Sequence, residues 1–533
     1  MTTKLLLGDE ALAQGALDAG LSGAYAYPGT PSTEITEYVQ RCVREEGLGV
    51  RCRWSTNEKV ALEEAIGMSY AGKRAMVSMK HVGLNVAADP FVNAAIAGAN
   101  GGLLINAADD PSMHSSQNEQ DSRLYTDLAL VPCIEPSNQQ EAYDAPAYGF
   151  ALSEEMRIPV LIRLTTRLAH SRSVVKLGET LDKNKLAPPA DRRQYILLPM
   201  NAREGYKNLI ARQPELTTRS ETSPFNRYED GPDKSVGIIA SGIAYNYVQE
   251  AYAGACPHPL LKISQYPIPL ALVRKLFAQC DRVILFEEGY PFIEGKLRGL
   301  LGDRDEVIHG RLDGTVPRTG ELNPGIVARA LDLPMPPGLP QSDILVPRPP
   351  ALCPGCPHDD TYKALNAVMK DYPQGRVFSD IGCYTLGALP PLEAIDTSLE
   401  MGASITMAKG ASDAGLAPAV AVIGDSTFTH SGMTGLLDCI SEDAPVTIII
   451  LDNLTVAMTG GQDSKATNRL AAICRGLGVS DEHIQTIVPL PKNHQQNVAV
   501  IEREIKHQGT SVIIAVRECV QTLRRHARKG GQQ

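Results

Sequence analysis

Between Ile423 and Gln462 an aspartate and an asparagine stand at the ends of two apolar runs. The first run ends in Gly424-Asp425-Ser426 and the second in Asp452-Asn453, with 26 residues between Ser426 and Asn453. Two strands of one parallel sheet would deliver both side chains to the carboxyl edge, where ligands bind in such sheets. A carboxylate, an amide oxygen and a backbone carbonyl are what a hard Mg²⁺ takes, with positions left for diphosphate oxygens. Taken alone, "GDS" is no more than a turn after a strand; the spacing and the flanking runs are what make it a candidate site.

A second constellation is sulfur. Cys353 and Cys356 stand three apart in "ALCPGCPHDD". Such a pair serves as half a zinc site, as a redox pair or as two buried thiols. The chain has no second C-x-x-C, and His358 is too near in sequence to be an obvious fourth ligand, so a zinc ribbon is poorly supported. Cys383 in "DIGCYTLG" and Cys519 in "IIAVREC" each fall just beyond an apolar run and bring the thiols to four, the ligand number of a [4Fe–4S] cluster. The bland reading, a loop with two cysteines packed nearby, stays open on these residues alone. Eleven cysteines in all is an odd count without the density of a disulfide scaffold, and Cys42, Cys133, Cys280, Cys439 and Cys474 read as small buried residues.

These side chains need elements to hold them. In the first third, "GAYAYPGTPS", "NEKVALEEAIGMSYAG", "RAMVSMK" and "GGLLINAAD" alternate strand and helix patterns, a βαβ rhythm that predicts a mostly parallel sheet closing near "IPVLIRLTTR". From about Lys176 to Lys234 the period is lost, as in a connecting segment with some helix. A second α/β unit begins at "SVGIIASGIAYNYVQEA", and "LPMPPGLPQSDILVPRPP" reads as a proline-rich linker. Beyond it "RVFSDIGC", "PAVAVIGDS", "VTIIILDN" and "SVIIAVREC" are strands of a third unit.

Length and charge bound the answer. At 533 residues the chain exceeds the roughly 100–200 of an ordinary domain, so three domains are expected. With 43% hydrophobic and 21% charged residues it is of globular type. A formal net charge of −10 argues against a sequence-independent grip on nucleic acid, and the basic run "LRRHARKGG" reads as a solvated helix end. No run of eighteen apolar residues could span a bilayer, and Asp9 and Glu10 interrupt any signal-peptide core after "KLLL"; a cytoplasmic location is expected.

The run from Gly424 to Asn453 resembles the Gly-Asp-Gly to Asn motif of thiamine-diphosphate enzymes, with Ser426 in place of the second glycine. Further motifs appear in order: "AYPGTPSTEI", "WSTNEKVALE", "MKHVGLNVAADP", "ADDPSMHSSQNEQDSR", "TTRLAHSR", "CPGCPH", "DIGCYTLG", "GDSTFTHSG" and "ILDNLTVAMTGGQ". Together they resemble the large (alpha) subunit of indolepyruvate:ferredoxin oxidoreductases, of the thiamine-diphosphate-dependent 2-oxoacid oxidoreductase superfamily, over nearly the whole chain. The departure is at the C-terminus: the family continues into a ferredoxin-like domain with repeated cysteine runs, and this sequence stops at Gln533.

That resemblance implies an α/β chain of three doubly wound parallel-sheet domains of the transketolase/pyruvate:ferredoxin oxidoreductase-like type. The boundaries are a pyrimidine-binding domain 1–175, a connecting segment 176–234, a transketolase C-terminal-like domain 235–332, the linker 333–350, a diphosphate/Mg-binding domain 351–525 and a basic tail 526–533. It implies thiamine diphosphate with Mg²⁺ on Asp425, Asn453 and the Thr455 backbone, and cofactor contacts from Gly424, Ser426, His358, Gly382 and Tyr384. Glu58, at a helix start, becomes the acid that favours the imino tautomer of the aminopyrimidine ring. Thr30 becomes a neighbour of the reacting carbonyl, and His81 and His114 become pocket candidates. Cys353, Cys356, Cys383 and Cys519 become the ligands of one [4Fe–4S] cluster.

The implied reaction is oxidative decarboxylation of indolepyruvate, phenylpyruvate or 4-hydroxyphenylpyruvate to the arylacetyl-CoA and CO₂, with coenzyme A as co-substrate. The implied partners are a smaller beta subunit in an α2β2 assembly, and ferredoxin or a separate electron-transfer subunit. A non-oxidative decarboxylase or carboligase without a cluster, and a non-catalytic scaffold, are the competing readings.

Overall fold

Ala75–Lys80, Leu103–Asp109 and Val160–Thr165 are buried at every position. Strands with both faces covered by helices are buried throughout, here even at Ser78, Asn106 and Arg163, whereas a half-exposed strand alternates. In the computed structural model, which describes residues 2–191, 193–301, 307–335, 338, 342–346 and 350–530, they form the middle of a seven-stranded sheet. Its order is Gln265–Tyr266, Cys133–Ile134, Val160–Thr165, Leu103–Asp109, Ala75–Lys80, Gly23–Ala26 and Arg51–Trp54. All its pairings are parallel except that of Gln265–Tyr266 with Cys133–Ile134.

A second sheet of five strands runs Ile308–His309, Arg282–Phe286, Val236–Ser241, Leu260–Ile263 and Arg227–Glu229, the last antiparallel. The connecting segment 176–234 supplies that edge strand and the 23-residue helix Pro199–Glu221. Segments 1–175 and 235–332, expected as separate domains, each hold a sheet but share one apolar core running from Leu6 to Leu331. They form one compact unit, Met1–Pro340. The physical reason is that Gln265–Tyr266 completes the first sheet, and that Arg123, fully buried, donates to the Glu288 carbonyl at 3.1 Å and pairs with Glu287 at 3.0 Å.

The other compact unit, Gln341–Gln533, begins inside the proline-rich stretch. Within that stretch residues 336–337, 339–341 and 347–349 lie outside the described residues, as do 531–533 of the basic tail; Val520–Gly530 is helical. This unit has one all-parallel sheet, Arg376–Ser379, Ala419–Gly424, Val446–Asp452, Ser511–Val516 and Ile484–Ile487. Separate apolar clusters cover its two faces. Ile448, Ile449 and Ile450 are fully buried, each contributing about 1.5–3 kcal/mol.

Register sets the site. Ser379 pairs with Val422, Gly424 with Leu451 and Asp452 with Val516. Residues 380–383, 425–426, 453–455 and 517–519 therefore leave the sheet from the same carboxyl edge. Among the described residues no helix is long and apolar enough to cross a membrane.

Candidate cofactor and sulfur site

Asp425 opens a helical stretch immediately after its strand, first as Asp425–Thr427, then through a π-turn at Phe428–Gly432 into Met433–Ser441. Its carboxyl is almost wholly buried, and Oδ2 has no hydrogen-bond partner. Burial, with Asp452 nearby adding like charge, pushes it up to about 7. Burial also raises Asp452, whose carboxylate accepts the Leu454 N–H at 3.1 Å. An unsatisfied buried carboxylate costs stability unless something pairs with it. A divalent cation is the partner that suits an orphan oxygen between acids, so the donors present fit Mg²⁺.

Asn453 is buried beside it. Its Oδ1 accepts the Thr455 N–H at 3.2 Å, and its Nδ2 lies 3.3 Å from Nε2 of His358. Complete burial holds His358 down to about 4, so near neutrality Nε2 is an acceptor for that amide. Ser426 Oγ lies 3.3 Å from Ser464 Oγ. Tyr384 lies under the turn rather than lining it: its hydroxyl donates to Asp380, and a Cβ on Gly424 would fall 2.6 Å from its ring. A Cβ on Gly382 would fall 2.2 Å from the same ring, so both glycines are there for close approach. Asp380, pushed up to about 6 by burial, also accepts from Ser404 Oγ at 2.6 Å.

The cysteines converge on the same edge. The Cys356 N–H donates to the Cys353 carbonyl at 2.9 Å, closing the turn with Gly355 at φ 81°. Arg517 holds that turn through the Gly355 carbonyl at 3.0 Å and Asp360 at 2.7 Å. The Cys519 N–H donates to the Asn453 carbonyl at 3.2 Å, and Gln521 Nε2 donates to Cys353 Sγ at 3.2 Å. Burial pushes Cys356 up to about 11 and Cys383 up to about 12; Cys356, Cys519, Cys353 and Asp425 all add to the rise at Cys383. Cys353, Cys356 and Cys519 thus lie near enough to Cys383 to act on it electrostatically. Among the described residues no three of their sulfurs lie mutually within 4.8 Å. A single zinc ion with Zn–S of about 2.3 Å would need sulfurs ~3.8 Å apart, so the gathering is wider than a mononuclear site.

In the first unit Glu58 begins the helix Glu58–Tyr70, whose N-cap Asn57 accepts the Val60 N–H at 2.9 Å. The Glu58 side chain is buried, and a Cβ on Gly83 would lie 2.6 Å from its Cγ and Oε1. Only glycine at position 83 lets the carboxyl lie there. Glu63 and Glu64 are on the exposed face of the same helix. Thr30 is half-buried, and its carbonyl accepts from Ser115 Oγ at 3.2 Å. His81 is buried with Nε2 3.2 Å from the Asn118 carbonyl and Nδ1 without a partner. His114 is half-exposed and lies 3.5 Å from Glu321, which also pairs with Arg167.

The first family model to match is described as pyruvate flavodoxin/ferredoxin oxidoreductase, thiamine diphosphate-binding, over residues 14–226. The second is the C-terminal thiamine pyrophosphate-binding domain of thiamine pyrophosphate enzymes, over 380–515. The chain is 38% identical to an indolepyruvate oxidoreductase subunit IorA from Archaeoglobus fulgidus, over 99% of this chain and 88% of that one. It is 37% identical to the IorA subunit of Methanothermobacter thermautotrophicus, over 97% and 86%. This chain belongs to the IorA family of indolepyruvate oxidoreductase subunits. Among solved structures, a 2-oxoglutarate:ferredoxin oxidoreductase from Magnetococcus marinus, with 2-oxoglutarate, coenzyme A and succinyl-CoA bound, shares the fold. Its TM-score is 0.51 at 17% identity, with coverage of 62% of this chain and 65% of that one.

For this IorA family member, the matched spans hold Thr30, Glu58, Asp425, Asn453 and Cys383, whereas Cys353, Cys356 and Cys519 lie outside them. Two features were not singled out from the sequence. Lys80, next to His81, buries its ammonium beside the Gly29-Thr30 loop: its Cβ would lie 3.2 Å from a Cβ on Gly29, and its Nζ donates to the Ser115 carbonyl at 2.7 Å. Burial holds it down to about 8. The other is Asp380, whose strand-end position matches that of Asp425 and was the available signal.

Proposed function

We propose that the protein is the thiamine-diphosphate-dependent subunit of an arylpyruvate oxidoreductase. It converts indolepyruvate, phenylpyruvate or 4-hydroxyphenylpyruvate and coenzyme A to the arylacetyl-CoA and CO₂, and two electrons leave through one [4Fe–4S] cluster. The observation that carries this reading is the buried Asp425 carboxyl with its unpartnered oxygen, at a sheet edge shared with Asn453 and four thiols. The aryl substrate is drawn from the names of the IorA relatives, and coenzyme A from its presence in the Magnetococcus marinus structure.

Thiamine diphosphate, when bound, supplies the nucleophilic carbon and the ring that takes up the electron pair left by CO₂. Glu58, fixed by its helix start and by Gly83, would hydrogen-bond the aminopyrimidine ring and so favour its imino tautomer. Asp425, Asn453 and the Thr455 carbonyl hold Mg²⁺ against the diphosphate, with Gly424, Ser426, His358 and Gly382 lining that end and Tyr384 supporting it from below. Neutral His358 keeps Asn453 oriented. Cys353, Cys356, Cys383 and Cys519 hold the cluster. Thr30 neighbours the reacting carbonyl, and Lys80 offers positive charge to the substrate carboxylate. His81 is the pocket histidine this reading retains, since Glu321 engages His114 at the surface.

The relatives are named as subunits, which supports a hetero-oligomer; we read a smaller beta subunit in an α2β2 assembly, with ferredoxin or a separate electron-transfer subunit as acceptor. The test is anaerobic purification with whatever subunit accompanies the chain, iron and sulfide analysis, and arylpyruvate-dependent dye reduction with and without coenzyme A. Four iron per chain and CoA-dependent reduction are expected. Glu58→Gln should lower turnover by roughly 10²–10⁴-fold with melting unchanged. Full turnover in that variant overturns its role, and aldehyde formed without coenzyme A or acceptor overturns the oxidative reaction.

A further inference from the structure

Another cluster of titratable side chains lies in the first unit, made of residues given no chemical role above. Asp9, Glu34 and His170 bring one ligand atom each to within 4.8 Å of one another, and among the described residues no other group of three or more His, Cys, Asp or Glu does so. Asp9 is fully buried and both of its carboxylate oxygens lack a hydrogen-bond partner. Glu34 and His170 are about one-third exposed, with Oε2 and Nε2 3.5 Å apart.

The backbone sets this cluster in place. Thr3–Leu7 and Arg172–Lys176 form an antiparallel pair in which Leu7 faces Arg172. Asp9 follows the first strand by two residues and His170 precedes the second by two, so the ladder fixes both. A Cβ on Gly8 would sit 2.2 Å from the Leu168 carbonyl oxygen, so glycine is what lets the helix Gly8–Asp18 close on Thr166–His170. Glu34 lies in the first turn of the helix Thr33–Glu46, which packs against Gly8–Asp18.

We propose that Asp9, Glu34 and His170 bind a divalent transition-metal ion, of the Zn²⁺, Mn²⁺ or Co²⁺ type. Two carboxylates and one imidazole are a borderline donor set that such ions favour over Ca²⁺ or Mg²⁺, which take oxygen alone. Three protein ligands leave at least one position for water. The metal satisfies the orphan oxygens of Asp9, and the half-open flank at Glu34 and His170 is its entry path. Burial and the charge of Glu34 raise Asp9 well above the usual carboxylate range, and the Glu34 carboxylate raises His170.

The probe is Co²⁺ alone, titrated anaerobically into the full chain, with its companion subunit, after chelator treatment. Its ligand-field bands separate oxygen and nitrogen coordination from thiolate charge-transfer bands. Wild type should bind one oxygen/nitrogen equivalent more than Asp9→Asn and His170→Ala, which keep whatever Co²⁺ the Asp425 edge and the thiols hold, and this extra equivalent should carry no thiolate band. Asp9→Asn is isosteric and His170 lies at the surface, so circular dichroism and melting in the absence of metal should match wild type. Should either variant fail to fold, Glu34→Gln serves instead, with at least a tenfold weaker Co²⁺ affinity expected. Equal oxygen/nitrogen stoichiometry in wild type and variants, or only thiolate bands in wild type, overturns the site.

Discussion

Two buried polar clusters in this chain look alike in composition and differ in how they are satisfied. In the first unit Arg123 and Arg163 are fully buried among Asp109, Asp121, Glu135 and Glu287: Arg163 lies 2.6 Å from Asp109 and Arg123 lies 3.0 Å from Glu287. Charge meets opposite charge, and the arginines hold Asp121 down to about 2. In the second unit Asp425 has no basic side chain acting on it among the described residues, sits near another acid and is pushed up to about 7. The first cluster has its cations within the protein, although burial still raises Glu287, and it ties two sheets together. The second is polar chemistry held out of water without its counter-charge, which is how a binding site differs from a structural network.

Breaking the complete cluster should have the largest effect on stability. Arg163→Met leaves Asp109 and Glu135 without their main cation and should cost about 3–5 kcal/mol, read as a lower urea midpoint. A loss below about 1 kcal/mol would mean the network is not what joins the sheets.

The incomplete cluster should instead answer to pH and metal. Because the folded Asp425 carboxyl titrates at about 7 and the unfolded one near 3.8, its contribution to stability is full below about 4 and is lost as pH rises through 7. The upper bound is about 4 kcal/mol. Mg²⁺ with thiamine diphosphate requires the carboxylate, so its stabilisation should grow with pH over the same window. Thermal shifts at pH 6 and pH 8, with and without Mg²⁺ and cofactor, check the sign. In Asp425→Asn the Mg²⁺ response should disappear and the pH slope should become shallower, the remainder belonging to Asp380 and Glu288, which burial also raises; an unchanged slope would mean that Asp425 does not contribute.

A smaller effect sharpens the contrast locally. Gly424→Ala puts a methyl 2.6 Å from the Tyr384 ring, whose hydroxyl is held by Asp380, and should cost about 1–3 kcal/mol. Gly410→Ala, in a helix with nothing near its Cβ, should stabilise by about 0.5–1 kcal/mol. Equal melting temperatures for the two would show that the Tyr384 contact is soft.

The site edge was legible in the sequence because its strands are long apolar runs ending in punctuating residues. Asp425, Asn453 and Cys519 were placed by counting from those ends, and the register of Gly424 with Leu451 puts those ends on one edge. Cys42, Cys133, Cys280, Cys439 and Cys474 are buried as read. The charged network was not legible: Arg163 and Asp109 are 54 residues apart, and pattern alone assigns buried arginine to the surface. The partly exposed edge strand Ile484–Ile487 escaped because "IQTI" is short and mixed. The union of segments 1–175 and 235–332 escaped because a two-residue strand makes the join.

The raised thiols have a chemical consequence of their own. A thiol reacts with alkylating agents and with oxidants as its thiolate. With Cys356 pushed up to about 11 and Cys383 up to about 12, only about one molecule in ten thousand or fewer carries either as thiolate at pH 7. The burial that raises these sulfurs makes them slow nucleophiles in the folded chain until a metal displaces their protons, which slows alkylation and oxidation at these two positions.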